Sequence, residues 1–210
     1  MHIIVSYFKF KKGVFMREII LTEKEIDETC KRLGKELTKR YKNNETIPVF
    51  VCILKGAVLF FTDLIKYCDF PMALDFLQAT SYDGTSSTGV IHLKKDITED
   101  VTNRDVVFVE DVVDTGLTLN YVKQYIQIKH KPKSISVVCL IDKTPLRKVD
   151  FHVDYVGLHM NENKFLCGYG FDYHEIVRNV PYVYVPDKKE IEEMDRYLAK
   201  DKSIVEAVEK

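Results

Sequence analysis

Residues 106–119 read VVFVEDVVDTGLTL, and this stretch decides the fold. Val106, Val107, Phe108 and Val109 form an apolar run without polar alternation, the pattern of a strand buried on both faces in a parallel sheet. The strand is expected over residues 105–110, ended by the acidic pair Glu110 and Asp111. Two valines and Asp114 follow, and then Thr115-Gly116-Leu117-Thr118 opens a helix expected over residues 118–129. A Thr/Gly turn at a helix start presents backbone N–H groups as an anion-binding nest. Gly116 lets the backbone approach a ligand closely, and Thr115 and Thr118 add hydroxyl donors. The spacing is not that of a Walker A loop. Carboxylates beside a phosphate nest repel that phosphate unless they address another part of the ligand, such as sugar hydroxyls or Mg²⁺. A sugar phosphate satisfies both demands. On residues alone, a capped strand–helix turn with solvated acids competes with that reading.

Working outward, the chain alternates strands with helices. Thr22 and Glu25 form a T-x-x-E capping box. Ile26, Cys30, Leu33, Leu37 and Tyr41 then recur at helical spacing. Strands are expected at residues 48–54, 74–80, 90–94, 134–141, 153–158, 165–169 and 182–185. A helix is expected over 57–67 and a charged one over 188–199. Residues 81–89, SYDGTSSTG, form a polar loop. The alternation implies βαβ units and a mostly parallel sheet, an α/β fold. In such sheets ligands bind at the carboxyl ends of strands, which points to the loops after Leu54, Glu110 and Ile141.

The 210 residues suit one large domain, and 31 basic against 32 acidic residues give a net charge of −1. That balance argues against a broad nucleic-acid or membrane footprint. The five cysteines, Cys30, Cys52, Cys68, Cys139 and Cys167, form no CxxC pair and no zinc spacing, so they read as buried thiols in a reducing cytoplasm. No apolar run approaches the roughly 20 residues that span a bilayer. The short apolar start, residues 1–10, is followed by Lys11 and Lys12 and lacks the order of a secretory signal. The expectation is a soluble, cytoplasmic protein.

Five separated signatures carry a resemblance. VVFVEDVVDTGLTL resembles the phosphoribosyl-pyrophosphate (PRPP) motif of type I phosphoribosyltransferases, and the flanking motifs are similar to those of the hypoxanthine-guanine branch. The resemblance covers roughly residues 16–187. It implies that fold, a mostly parallel central sheet flanked by helices with a small hood subdomain. It also implies an N-terminal extension over 1–15 and a C-terminal helix and tail over 188–210.

Site roles follow from the same resemblance. Glu110 and Asp111 resemble the acids that hold the ribose hydroxyls and help bind metal. Asp114 resembles the general base near N7 of the purine. Thr115, Gly116, Leu117 and Thr118 resemble the 5′-phosphate loop. Leu54, Lys55 and Gly56 resemble the pyrophosphate loop, in which the bond matching Leu54–Lys55 can be cis. Ser81 and Tyr82 resemble the start of a mobile loop that closes over the reaction centre and excludes water. Lys143 resembles the lysine that binds the 6-oxygen of the purine, a cationic donor that disfavours adenine. Phe165 resembles the residue that stacks on the base, and Leu166, where the branch often has valine, the residue that meets the base edge. Asp172 resembles a ligand of the Mg²⁺ bound with pyrophosphate and lies in the same purine-pocket segment. Arg178 resembles the arginine that contacts pyrophosphate.

The implied reaction moves the 5-phosphoribosyl group of PRPP to N9 of a 6-oxopurine with release of pyrophosphate, using Mg²⁺. The implied partners are these small molecules, with no nucleic acid and no membrane, in a homodimer or homotetramer. Rivals are a phosphoribosyltransferase for another base, an RNA-binding regulator on the same fold, and a phosphorylation receiver domain. The −1 charge disfavours the second. The acids and the Thr-Gly turn share one loop, which fits the third poorly. Xanthine stays open as a substrate.

Overall fold

The computed structural model describes residues 17–81 and 91–200. The chain divides into two compact units, Asp27–Asn163 and a smaller one built from Met1–Ile26 with Lys164–Lys210.

The larger unit is a sheet with helices. Its strands are β2 (Val49–Ile53), β3 (Ala73–Ser81), β4 (Ile91–Lys95), β5 (Asp105–Val113), β6 (Ser134–Asp142) and β7 (Tyr155–His159); β1 (Glu18–Leu21) belongs to the smaller unit. They lie in the order β4-β3-β2-β5-β6-β7. All pairs are parallel except β3 with β4, which is antiparallel. The expected α/β architecture is therefore present.

Strand alternation divides the core. Val49, Val51, Ile53, Val106, Phe108, Val137 and Cys139 face Leu119, Val122 and Ile126 of α3 (Leu117–His130). On the other face, Phe50 takes the ring of Tyr41 edge-on, with centroids 6.1 Å apart. Tyr41 ends α1 (Glu23–Tyr41). The periodic stripe Ile26, Cys30, Leu33, Leu37 and Tyr41 is buried throughout. The capping box forms as read: Glu25 N–H donates to Thr22 Oγ1 at 3.2 Å, and Thr22 N–H donates to Glu25 Oε2 at 2.8 Å. The apolar helix α2 (Val58–Ile65) buries Phe60, Phe61 and Leu64.

The smaller unit pairs β1 antiparallel with β8 (Val183–Val185), next to α4 (Lys188–Leu198). Its core gathers Cys167, Val177, Val180, Tyr182, Tyr184 and Met194. A charged pair is buried within it. Arg17 Nε donates to both carboxylate oxygens of Glu190 at 3.1 Å, Arg17 Nη1 donates to Tyr182 Oη at 2.6 Å, and Tyr184 Oη donates to Glu190 Oε1 at 3.0 Å. The Arg17 guanidinium also lies 4.1 Å from the centre of the Tyr184 ring. Asp187 caps α4 by accepting the Glu190 N–H at 2.8 Å.

Four local expectations need correction. β5 does not stop at Glu110 but runs to Val113, so the acidic pair lies inside the strand. Residues 165–169 form no strand; Cys167 makes an isolated bridge to Tyr184, and left-handed φ angles at Gly168 (82°), Tyr169 (48°) and Gly170 (98°) stop a ladder from growing. β7 starts at Tyr155 rather than 153. The four-residue β1 was not foreseen, because so short a segment shows no periodicity. The loop read at 81–89 lies outside the described residues after Ser81. Among the described residues no helix is long and apolar enough to cross a membrane.

Candidate active site

The parallel ladder builds the first half of the site. β5 and β6 keep one register from Asp105↔Ser134 to Val113↔Asp142. Continuing that register by one step sets Asp114 beside Lys143. Lys143 N–H donates to the Val113 carbonyl at 3.0 Å, which fixes the turn. The Lys143 ammonium then meets Asp114 Oδ1 at 3.3 Å, an ion contact without hydrogen-bond angles. Lys143 is buried, whereas the Asp114 side chain is 43% exposed, so the carboxylate is the accessible member of the pair.

The ladder between β2 and β5 builds the second half. Its register, Val49↔Val106 to Cys52↔Val109, continues to put Leu54 beside Asp111. Connections diverge on either side of these two strands, which makes this the switch point where α/β sheets hold ligands. The Leu54–Lys55 peptide is cis. A side chain on Gly56 would put its Cβ 2.0 Å from Asp111 Oδ2, so only glycine fits against that carboxylate.

Glu110 and Asp111, being adjacent in a strand, point to opposite faces. Asp111 faces Gly56, and its Oδ1 accepts from Val112 N–H at 2.9 Å. Glu110 lines a cleft of about 590 Å³ with Thr80, Asp114, Thr115, Gly116 and Thr118 among its other walls. The Glu110 Oε2 atom is covered and has no hydrogen-bond partner. Burial, and then the charge of Asp111, pushes the Glu110 carboxyl well above the ordinary carboxylate range. The thiol of Cys52 is also pushed up, to about 12, chiefly by burial, which suits an inert packing role.

The Thr115–Thr118 turn opens α3. Gly116 adopts φ 76° as the N-cap of α3 and makes no side-chain cap, while Leu117 N–H reaches Thr115 Oγ1 at 3.4 Å. Leu117 is exposed. Behind Gly116 stands Arg147, which the sequence did not single out. A Cβ at Gly116 would lie 3.0 Å from Arg147 Cδ. Arg147 is ion-paired with Asp142, and Lys148 N–H donates to the Thr115 carbonyl at 2.9 Å. These residues brace the loop from a turn distant in sequence. No local spacing signals them.

Phe165, Leu166, Asp172 and Arg178 lie in the smaller unit. Phe165 is 53% exposed and Leu166 is buried. Arg178 Nη2 pairs with Asp172 Oδ1 at 2.9 Å, and Arg178 Nη1 donates to the Gly170 carbonyl at 2.7 Å. Glu175 N–H donates to Asp172 Oδ2 at 2.8 Å. His174, Glu175 and Val177 all have left-handed φ, at 45°, 71° and 64°. Backbone of this kind persists only where its surroundings over-determine it, and it concentrates at functional sites. Ser81 ends β3 in register with Ile91, and Tyr82 lies outside the described residues.

Among the described residues no three His, Cys, Asp or Glu side chains gather into a metal cage. Glu110 Oε2, which has no hydrogen-bond partner, and the Asp111 carboxylate are hard oxygen donors of the kind Mg²⁺ takes, one or two at a time, alongside substrate phosphates.

Comparisons with known proteins bear on this geometry. A profile described as the phosphoribosyl transferase domain matches residues 17–174. The hypoxanthine-guanine phosphoribosyltransferase of Staphylococcus aureus is 41% identical over 169 residues, covering 80% of this chain and 92% of the relative. That of Bacillus subtilis is 40% identical over 171 residues, covering 81% and 93%. A crystal structure of a hypoxanthine phosphoribosyltransferase from Staphylococcus aureus superposes with a TM-score of 0.77 at 40% identity, covering 82% of this chain and 92% of that one.

Proposed function

The chain belongs to the phosphoribosyl transferase family, and on that premise we propose how its residues divide the work. The protein is an enzyme of purine salvage. It transfers the 5-phosphoribosyl group of PRPP to N9 of hypoxanthine or guanine, giving IMP or GMP and pyrophosphate. The observation that carries the residue assignment is the pairing of Asp114 with Lys143 at 3.3 Å beside the Gly116 turn. That pairing supports reading Asp114 as a carboxylate base and Lys143 as a cationic donor on the same ligand.

The Thr115–Thr118 turn takes the 5′-phosphate on its backbone N–H groups, at the positive end of α3. Glu110 and Asp111 approach the ribose from the two sides of β5. The purine loses a proton as N9 attacks C1′, in a transition state of oxocarbenium character, and Asp114 accepts that proton. Lys143 donates to the 6-oxygen, and adenine, with an amino group there, gives it no acceptor. Phe165 stacks on the base and Leu166 meets its edge. Lys55, the Leu54–Gly56 loop and Arg178 stabilise pyrophosphate as it leaves. Magnesium, when bound, neutralises phosphate charge, and Asp172, Glu110 and Asp111 are the residues that would hold it. Ser81 and Tyr82 begin the segment assigned to closing over the reaction centre.

We further assign residues 16–187 to the catalytic domain, with 1–15 and 188–210 outside the resemblance, and a cytoplasmic homodimer or homotetramer as the working form. The test is one assay with purified protein, PRPP, Mg²⁺ and hypoxanthine, guanine, xanthine, adenine, uracil or orotate. Nucleotide forms with hypoxanthine and guanine and not with adenine, uracil or orotate. The xanthine arm reads the C2 contact near Leu166. No product with any purine overturns the assignment.

A further inference from the structure

We propose that Tyr173 and Asp195 are positioning residues for purine binding: the helix α4 holds the Phe165 ring through them. The proposal rests on the reading that Phe165 meets the purine. Phe165 is half exposed, so its own surroundings do not lock its ring. Its ordered neighbour is Tyr173, whose ring stands edge-on at 87° with centroids 6.0 Å apart. Tyr173 is fixed at both ends. Its backbone exchanges hydrogen bonds with Ile176 at 3.1 and 3.0 Å. Its hydroxyl donates to Asp195 Oδ1 at 2.7 Å.

Asp195 is anchored in turn. It follows Met194, which is fully buried, on a helix whose Glu190 is locked to Arg17 and Tyr184. The bond to Asp195, and then burial, pushes the Tyr173 hydroxyl up to about 12, so it stays a donor across the neutral range. Between Tyr173 and Arg178 the chain carries three non-glycine residues in the left-handed region, one of them the β-branched Val177. A turn so unfavourable on its own needs an external tie, and the Tyr173–Asp195 bond is one that leaves the turn and ends on another element. The chain of contacts runs Arg17, Glu190, α4, Asp195, Tyr173, Phe165. It gives α4, which lies beyond the matched profile ending at residue 174, a task in substrate selection.

The test uses the full chain and four single variants, with kcat and the KM of hypoxanthine and of PRPP measured separately. Tyr173→Phe keeps the ring and loses the hydroxyl; Asp195→Ala loses the acceptor; Asp195→Asn keeps one. Tyr173→Phe and Asp195→Ala each raise the hypoxanthine KM about three- to tenfold, as loss of one partly exposed charge-assisted hydrogen bond should. The double variant is no worse than either, because both remove the same bond. The PRPP KM rises less than the hypoxanthine KM, because Arg178 is also held by Asp172 and the Gly170 carbonyl; kcat holds, and Asp195→Asn restores the hypoxanthine KM. An unchanged hypoxanthine KM in both Tyr173→Phe and Asp195→Ala overturns the proposal, and so does an equal rise in both KM values. Phe165→Ala separates the two levels: if it leaves the hypoxanthine KM unchanged, the purine assignment itself falls. If it raises that KM while the other variants do nothing, only the role of α4 falls.

Discussion

The two units of the chain place their candidate site side chains by different means. In Asp27–Asn163, placement follows from strand register: Asp114 meets Lys143 because β5 and β6 run in step, and Asp111 meets Gly56 because β2 and β5 do. In the smaller unit, Asp172 and Arg178 are set by a turn with left-handed residues, and the support is a buried charge pair with two tyrosines. Register is produced by many equivalent hydrogen bonds and is hard to disturb at one position. A strained turn on a buried ion pair depends on a few groups. Mutations in the first unit should therefore alter chemistry without unfolding it, and mutations at the support of the second should alter stability first.

The sharpest test of the first half is Asp114→Asn. It removes the proposed base while the ladder stays intact, so kcat falls on the order of 10³-fold with PRPP binding and melting temperature largely kept. Unchanged turnover would remove Asp114 from the base role. The second half is tested by Glu190→Ala, which strands the Arg17 charge in the interior. The cost is about 3 kcal/mol or more, read as a drop in a thermal or urea melt. A parent-like melt would show that the pair supports nothing and would dissolve the contrast. Gly56→Ala forces a methyl group into the space of the Asp111 carboxylate. Displacing that group by even an ångström costs about 10²-fold in kcat/KM. If activity survives, contact between the loop after β2 and the Asp111 carboxylate of β5 is not what sets the geometry. The smallest effect belongs to Thr22→Ala, which removes the cap of α1 for about 1 kcal/mol and leaves both KM values alone. A change in either KM would mean that the cap does more than hold a helix end.

Legibility in the sequence follows the same division. The runs at β2, β5 and β6 can be read because a strand buried on both faces is apolar throughout, and the stripe from Ile26 to Tyr41 because burial of one helix face imposes a period. The Thr22–Glu25 box and the Gly116 turn could be read because their chemistry is local. Arg147 could not, since its relation to Gly116 arises only when the turn after β6 folds back on the turn after β5. Nor could the tie between Arg17 and Glu190, at opposite ends of the described chain. The end of β5 was misplaced for a related reason. Glu110 and Asp111 look like terminators, yet the pairing of Val112 and Val113 with Ile141 and Asp142 carries the strand past them.

The constant step between β5 and β6 also limits how this gene can change in length. A single-residue insertion or deletion inside either strand would slide one ladder by about 3.3 Å and turn the following side chains to the opposite face. Asp114 and Lys143 would then miss each other even though every residue of both motifs survived. The segment between α3 and β6, and the surface beyond Lys148, do not carry that constraint to the pair. Length variation among functional descendants should therefore collect in those places and be absent between Asp105 and Asp114 and between Ser134 and Lys143.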